Sequence, residues 1–282
     1  MHLSGQSSEA KPKDNTSMKM GNFCAALWLA ASLAPYASPA QEPAAQHYAG
    51  MAYASAGDTL LYSEEHWISR DSRDERRIVL YRCPNGKPFA RKRLHGGIDD
   101  PTPDFAFHDR RDGYREGVTG RGGERQVYVQ RDRSAPRQAT PLAMPRNAVI
   151  DAGFDAYVRG RWDALGAGKG TQIAFLVPSR LEYLHLKISP RDEQDGGRAV
   201  RQFRLSLDAW YGFAVPSIDV VYSKDDRRLL RFMGVSNIRD DQGRTQQVRI
   251  EFPADRQYPP PSSAQIERAD TEPLVPRCDT PD

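Results

Sequence analysis

The sequence predicts a mainly β protein: a curved antiparallel sheet, half-barrel-like, wrapped on one central α-helix. Three observations predict it. Apolar and polar residues alternate with period two through most of the chain, as in strands with one face on a core and one in water. Short turns bearing Gly, Pro and Asn separate these runs and force neighbouring strands to be antiparallel. One segment, residues 147–165, changes to a period of three to four. One helix cannot cover both faces of roughly ten strands. The economical arrangement curls the sheet around it, and a flat two-layer sandwich with a peripheral helix is the alternative.

The elements follow in order. Residues 1–17 are polar and patternless, and then come Met18-Lys19-Met20, an apolar run over 25–34, and Ser38-Pro39-Ala40. This is a cationic n-region, an h-region and a small-residue cleavage site. Residues 1–40 are therefore read as an upstream segment plus signal peptide, with Met18 favoured over Met1 and Met20 as the start. The apolar run is shorter than the roughly 20 residues a membrane span needs. Cys24 precedes the run rather than following it, which argues against a lipid anchor. The expected location is periplasmic or secreted, with no membrane span after signal cleavage.

Residues 41–56, rich in Ala with Pro43 and Gly50, read as a flexible arm. A single β-rich domain follows over 57–253. Residues 60–68 alternate imperfectly. Residues 78–82 and 89–93 flank Pro84-Asn85-Gly86-Lys87, whose Asn-Gly pair accepts the positive φ of a tight hairpin. Residues 99–103 form a loop, and 105–108 a short strand. Residues 113–118 and 125–130 flank Gly120-Arg121-Gly122-Gly123, a second hairpin. Residues 131–145 read as a long polar crossing.

In the helix, Val149, Ile150, Phe154, Tyr157, Val158, Trp162 and Leu165 form the apolar face, Asn147 is the expected N-cap, and Gly166 and Gly168 stop it. Asp155 and Arg159 are spaced to pair on its exposed side. Strands resume at 172–177, 182–188, 201–208, 218–222, 229–233 and 247–252. The clearest alternation sets Phe203, Leu205 and Leu207 against Gln202, Arg204, Ser206 and Asp208. Residues 254–282, with Pro259-Pro260-Pro261, read as an extended Pro-rich C-terminal tail.

Composition narrows the function classes. The chain carries 40 basic and 37 acidic side chains, with no block of like charge. No nucleic-acid partner or polybasic membrane patch is expected. Loss of Cys24 with the signal leaves Cys83 and Cys278. An even count in an oxidising compartment predicts that they form a disulfide.

The candidate chemical motifs are weak. Gly166-Ala167-Gly168-Lys169-Gly170-Thr171 fails as a phosphate loop, because Gly170 stands where the hydroxyl residue is needed. Glu64 and His66 share a strand face and offer two metal ligands, with His95 or His108 as further donors, but no short-spaced His pair supports a site. Asp99, Asp100, Asp104, Asp109, Asp112 and Glu116 offer paired carboxylates for glycoside hydrolysis or oxygen ligands for Ca²⁺. They alternate with Arg110, Arg111 and Arg115, as solvated ion pairs do. Ser179 has no base beside it in sequence. No catalytic set, metal or cofactor is expected. The aromatics, among them Trp67, Tyr81, Phe107, Phe154, Trp162 and Phe203, fill the space between sheet and helix.

Asp151-Ala152-Gly153-Phe154-Asp155, Arg161-Trp162-Asp163-Ala164-Leu165 and Phe175-Leu176-Val177-Pro178-Ser179-Arg180-Leu181 resemble a group of uncharacterised exported proteins of Gram-negative bacteria. Asp109-Arg110, Gly113-Tyr114, Glu116-Gly117, Leu230-Arg231-Phe232 and Gly234-Val235-Ser236-Asn237 fit the same resemblance. It spans most of the mature chain and carries no assigned activity. The expected shape is also similar to the half-barrels of periplasmic lipoprotein carriers, a likeness of architecture only. The expected function is non-enzymatic binding, in the concavity of the sheet, of an apolar or amphipathic ligand, such as a hydrophobic small molecule or a lipid, or of an envelope protein partner. The alternative is a hydrolase of an envelope polymer using carboxylates in 99–116.

Overall fold

The computed structural model describes residues 44–71, 73–120, 124–168, 170–208 and 217–278. Residues 1–40, expected to be an upstream segment and signal peptide, lie outside the described residues. The account below concerns the compact unit Glu42–Asp282.

The fold is mainly β, one large, curved, open sheet with few helices. Its first half comprises β1 (Ala45–Ala54), β2 (Leu60–Arg70), β3 (Asp74–Arg82), β4 (Pro88–Gly97), β5 (Asp104–Asp109), β6 (Arg115–Thr119), β7 (Gln126–Gln130) and β8 (Gln138–Pro141). Its second half comprises β9 (Ala148–Val149), β10 (Thr171–Val177), β11 (Glu182–Asp195), β12 (Arg198–Leu207), β13 (Ile218–Ser223), β14 (Leu229–Arg239) and β15 (Thr245–Glu251). A last short strand, β16 (Gln257–Tyr258), pairs with β1 beside this path. Each half is a meander. The first steps outward from β1 to β8, and the second steps inward from β9 to β15, which pairs with β1. Among the described strands only β9 runs parallel to its neighbour.

This order requires curvature. Laid flat at a strand spacing of about 4.8 Å, the fifteen-strand path would hold β8 and β9 roughly 65 Å apart. Residues 142–147 join those two edge strands directly, and such a link reaches only about 23 Å when extended. The sheet must roll until its edges approach each other. Consistent with this, the Arg131 guanidinium beyond β7 donates to the Ser179 carbonyl before β11, at 3.2 Å.

Local sequence accounts for the elements. In the β3–β4 hairpin Gly86 takes φ +83°, a conformation open to glycine at little steric cost. Alternation on β2 and β3 sends Tyr62, Val79 and Tyr81 into the concave core with Phe89, Phe107 and Val129. Trp67, Ile78 and Leu80 go to the convex face. The second concave cluster joins Phe154, Tyr157, Val158, Trp162 and Leu165 to Phe203, Leu205, Val220 and Tyr222.

The helix expected over 147–165 is broken. Val149 is taken up by pairing with β10, and Asp151 sits at φ +48°, which no right-handed helix accepts. The helical turns are α1 (Gly153–Gly160) and α2 (Trp162–Gly166), separated at Arg161, and Asn147 does not cap either. Gly153 is required at the start of α1, because a Cβ there would lie 2.3 Å from the Pro101 carbonyl oxygen. Asp155 and Arg159 pair as their spacing predicts, at 3.1 Å, but half-buried rather than on an exposed side.

Three further expectations are corrected. The arm over 41–56 contains β1, whose Ala49 and Ala52 are buried: small side chains here fit close packing rather than mobility. The polar crossing over 131–145 contains β8. The tail over 254–282 contains β16 and α3 (Ser263–Thr271), begun by a reciprocal capping box between Ser262 and Gln265. Ile266 and Ala269 of α3 cover Trp67, Ile78 and Leu80, so the convex face has its own small core. Around it, Arg91 donates to the Ala269 carbonyl at 3.2 Å, Arg76 pairs with Asp270 at 2.6 Å, and Arg82 grips Glu272 through two bonds of 2.9 and 2.8 Å. Cys83 and Cys278 stand at disulfide distance, with Cα atoms 5.5 Å apart, and tie the segment after α3 to the end of β3.

Candidate functional site

The concave face carries a row of ionisable side chains. Alternation puts Glu64 and His66 of β2, Arg77 of β3, Lys92 of β4 and Glu116 of β6 inside, and each is less than a tenth exposed. Buried charge is costly unless it is paired, so the pairing is informative. Glu64 Oε1 and His66 Nε2 are 3.1 Å apart, and Tyr48 stacks on the His66 ring at 4.6 Å. Burial holds the His66 imidazole below its ordinary pKa, against the pull of Glu64. Lys92 Nζ donates to both carboxylate oxygens of Asp151, at 3.0 and 2.7 Å. Tyr114 donates to Glu116 at 2.6 Å, and burial raises the Glu116 carboxyl above its usual range.

At one end the row reaches a cleft between α1 and the loop over 96–103. The cavity there is about 50 Å³, and Arg70, Glu75, Arg77, Asp99, Asp155 and Arg159 are among the side chains lining it. Glu75 accepts from Arg70 Nε at 2.8 Å and from Arg77 Nη2 at 3.0 Å. Burial alone would raise its carboxyl, but the two guanidiniums outweigh that and hold it below the usual range. Behind this lining Arg77 Nε and Asp155 Oδ1 are sealed from solvent, with the Asp155 carboxylate engaged by the Tyr222 hydroxyl and attracted to the Arg77 guanidinium. The backbone is strained on both sides, with Asp99 at φ +66° and Asp151 at φ +48°. Such conformations cost about 1–3 kcal/mol each and gather at ligand clamps. The Pro101 carbonyl accepts from Ile150 N at 2.9 Å, tying the loop to the residues that start α1.

A wider groove of about 480 Å³ lies on the convex side, between β1–β2 and the end of α3. His47 and Trp67 stand on one wall, and Gln265, Arg268 and Glu272 on the other. His47 stacks on Trp67 at 4.8 Å and bonds Glu65 at 2.9 Å, and Glu65 in turn accepts from Arg82 at 2.7 Å. Its polar wall groups on the sheet are thus already paired with one another.

The residues singled out by sequence fall as follows. Glu64 and His66 do share a face, but His108 lies opposite Arg91 on the convex side and cannot join them. His95 lines the cleft. Among the described residues no cluster of three His, Cys, Asp or Glu is placed to hold a metal ion. The carboxylates over 99–116 are dispersed. Asp100 caps its own turn at Thr102, Asp104 pairs with Arg125 at 2.7 Å, Asp109 with Arg111 at 2.8 Å, and Asp112 with Arg239. Ser179 sits in a 3₁₀ turn. Gly166 ends α2, and Lys169 lies outside the described residues. Sequence reading overlooked Arg77, which alternation with Val79 and Tyr81 marks as inward-facing.

The chain matches no protein-family model and no curated protein.

Proposed function

We propose that the protein is an exported, non-enzymatic binding protein that seats its ligand in the concavity of the rolled sheet, at the cleft between α1 and the 96–103 loop. The observation that carries this reading is the cleft itself, a cavity of about 50 Å³ whose lining sets Arg70, Arg77 and Arg159 beside Glu75, Asp99 and Asp155. Aromatic side chains and α1–α2 fill the rest of the described concave core, so the available chemistry is polar. This favours a polar ligand, or the polar end of an amphipathic one, over a wholly apolar molecule.

The test is native mass spectrometry of protein isolated from the periplasm. A small mass adduct present on the wild type and lost from Arg77→Met, with both variants folded by circular dichroism, is the expected result. Both proteins flying at the bare mass of their own sequence would remove the basis for a ligand in the cleft.

A further inference from the structure

We infer that Met144 is an oxidation site, and that its sulfoxide clips the two halves of the rolled sheet together. Nothing in this requires a ligand in the cleft.

Position comes first. Beyond residues 1–40 the sequence holds three methionines, Met51, Met144 and Met233. Met51 on β1 and Met233 on β14 are partly buried. Met144 is 46% exposed, in the link that joins the edge strands β8 and β9. An oxidant in solution must reach the sulfur lone pair, so Met144 is the methionine it meets first.

What sets Met144 apart is the surroundings of its sulfur. Arg125 Nη1 donates to Sδ at 3.7 Å, and the Tyr183 hydroxyl donates to it at 3.6 Å. Arg125 stands just before β7 and is held there by two further bonds, from Nε to Asp104 at 2.9 Å and from Nη2 to the Thr102 carbonyl at 2.8 Å. Tyr183 belongs to β11 and packs against the concave core. The sulfur thus lies between one donor from each meander. The bond from Arg131 to the Ser179 carbonyl crosses between the same two regions.

A thioether sulfur is a weak acceptor, so two good donors, one of them ionised, gain little from it. Oxidation by a peroxide changes that. The Sδ lone pair attacks one oxygen of hydrogen peroxide, an S–O bond forms and the O–O bond breaks. The other oxygen leaves as water with both protons; sulfur gives up two electrons and the peroxide takes them. In a packed core the polar sulfoxide is disruptive. Here the residue is exposed and its donors are already in place. The unbranched, flexible side chain can turn the new oxygen toward them. The bond from Arg125 then becomes a charge-assisted one to oxygen, stronger than a neutral equivalent.

The test is exposure of the mature chain to hydrogen peroxide, read by peptide mass spectrometry and amide hydrogen exchange. Met144 should gain one oxygen at least about tenfold faster than Met51 or Met233, as its exposure dictates. Exchange over residues 138–147 should then slow by about threefold or more, the effect of one net hydrogen bond. Met144→Leu should abolish the response. Met144→Gln, which carries an acceptor oxygen of its own, should slow exchange without peroxide. Tyr183→Phe keeps the ring, removes one donor and should shrink the slowing. Equal oxidation of all three methionines would overturn the site. Oxidation of Met144 that leaves exchange unchanged, or speeds it, would overturn the clip, as would a Tyr183→Phe variant that responds like the wild type.

Discussion

Replacing Cys278 with serine should lower the melting temperature of the oxidised protein substantially. The magnitude follows from the loop that Cys83 and Cys278 close, whose ends are 195 residues apart. In the chain-entropy account a loop of this length restrains the unfolded state by about 5 kcal/mol at 25 °C, and native bridges typically contribute at least about 2. For a domain of this size each kcal/mol moves the midpoint by about 2–4 °C. The expected drop is therefore about 4–20 °C. Cys278 is the better position to change, because Cys83 is buried in the concave core and a serine there would add its own desolvation cost. The assay is differential scanning calorimetry without reductant, paired with thiol titration of the denatured mature wild type. No free thiol should be found. The double variant Cys83→Ser/Cys278→Ser should match Cys278→Ser apart from that local cost, because the loop can be opened only once. Two titratable thiols in the wild type, or a midpoint unchanged within about 1 °C, would refute the reasoning.

Ser262→Ala removes one side of the α3 capping box and should cost about 1 kcal/mol. Amide exchange over 263–271 should speed up while β11–β12 stay protected. Gly153→Ala drives a methyl group to 2.3 Å from the Pro101 carbonyl oxygen, and urea titration should show a loss of stability. Folded His66 has a pKa below its unfolded value, so the unfolded chain takes up the proton first as pH falls. Stability contributed by neutral His66 is present above about pH 6.5 and lost below it. Glu116 is shifted the other way and acts in the opposite sense, so the informative quantity is a difference: His66→Gln should make stability less sensitive to acid between about pH 6.5 and 5 than the wild type. Parallel curves for the two proteins would reject that assignment. For export, residues 18–45 fused to a reporter active only in the periplasm should give activity, and cytoplasmic retention of the fusion would remove the signal reading.

Much of the sheet was legible because its cause is local. Phe203, Leu205 and Leu207 alternate cleanly, and they line the concave core as their spacing predicts. Asn85-Gly86 forces its hairpin whatever surrounds it. Where two rules competed, the louder one misled. Pro259-Pro260-Pro261 masked the capping signal Ser262-x-x-Gln265 three residues later, and with it α3. In β1 the small residues that permit close packing resemble those of a linker. The helical period over 149–165 was real, but Val149 finds its burial in a strand pair instead. The site was harder to read. Arg77 follows Arg76 in a run that looks solvated, and only the register of β2–β3–β4 turns one arginine inward and the other toward Asp270. Asp155 was legible as a partner of Arg159, but not as part of a cleft wall, which depends on a loop fifty residues earlier in the chain.

The two meanders also fix the order in which the sheet can be finished. Every hairpin within β1–β8 closes over a short stretch of chain, so that half can assemble as it is synthesised. The β1–β15 seam is different: Ala52 must find Ile250, and neither strand has its inner neighbour until the other arrives. The first strand made thus keeps an unpaired edge until nearly the whole chain exists, and such an edge is a template for pairing with other chains. Long-range pairing of this kind is the slow step of β folding. The same arrangement makes residues 142–147 a natural breakpoint. Cut there, each half is a continuous meander, and the two would have to meet through β1 and β15 as separate molecules do.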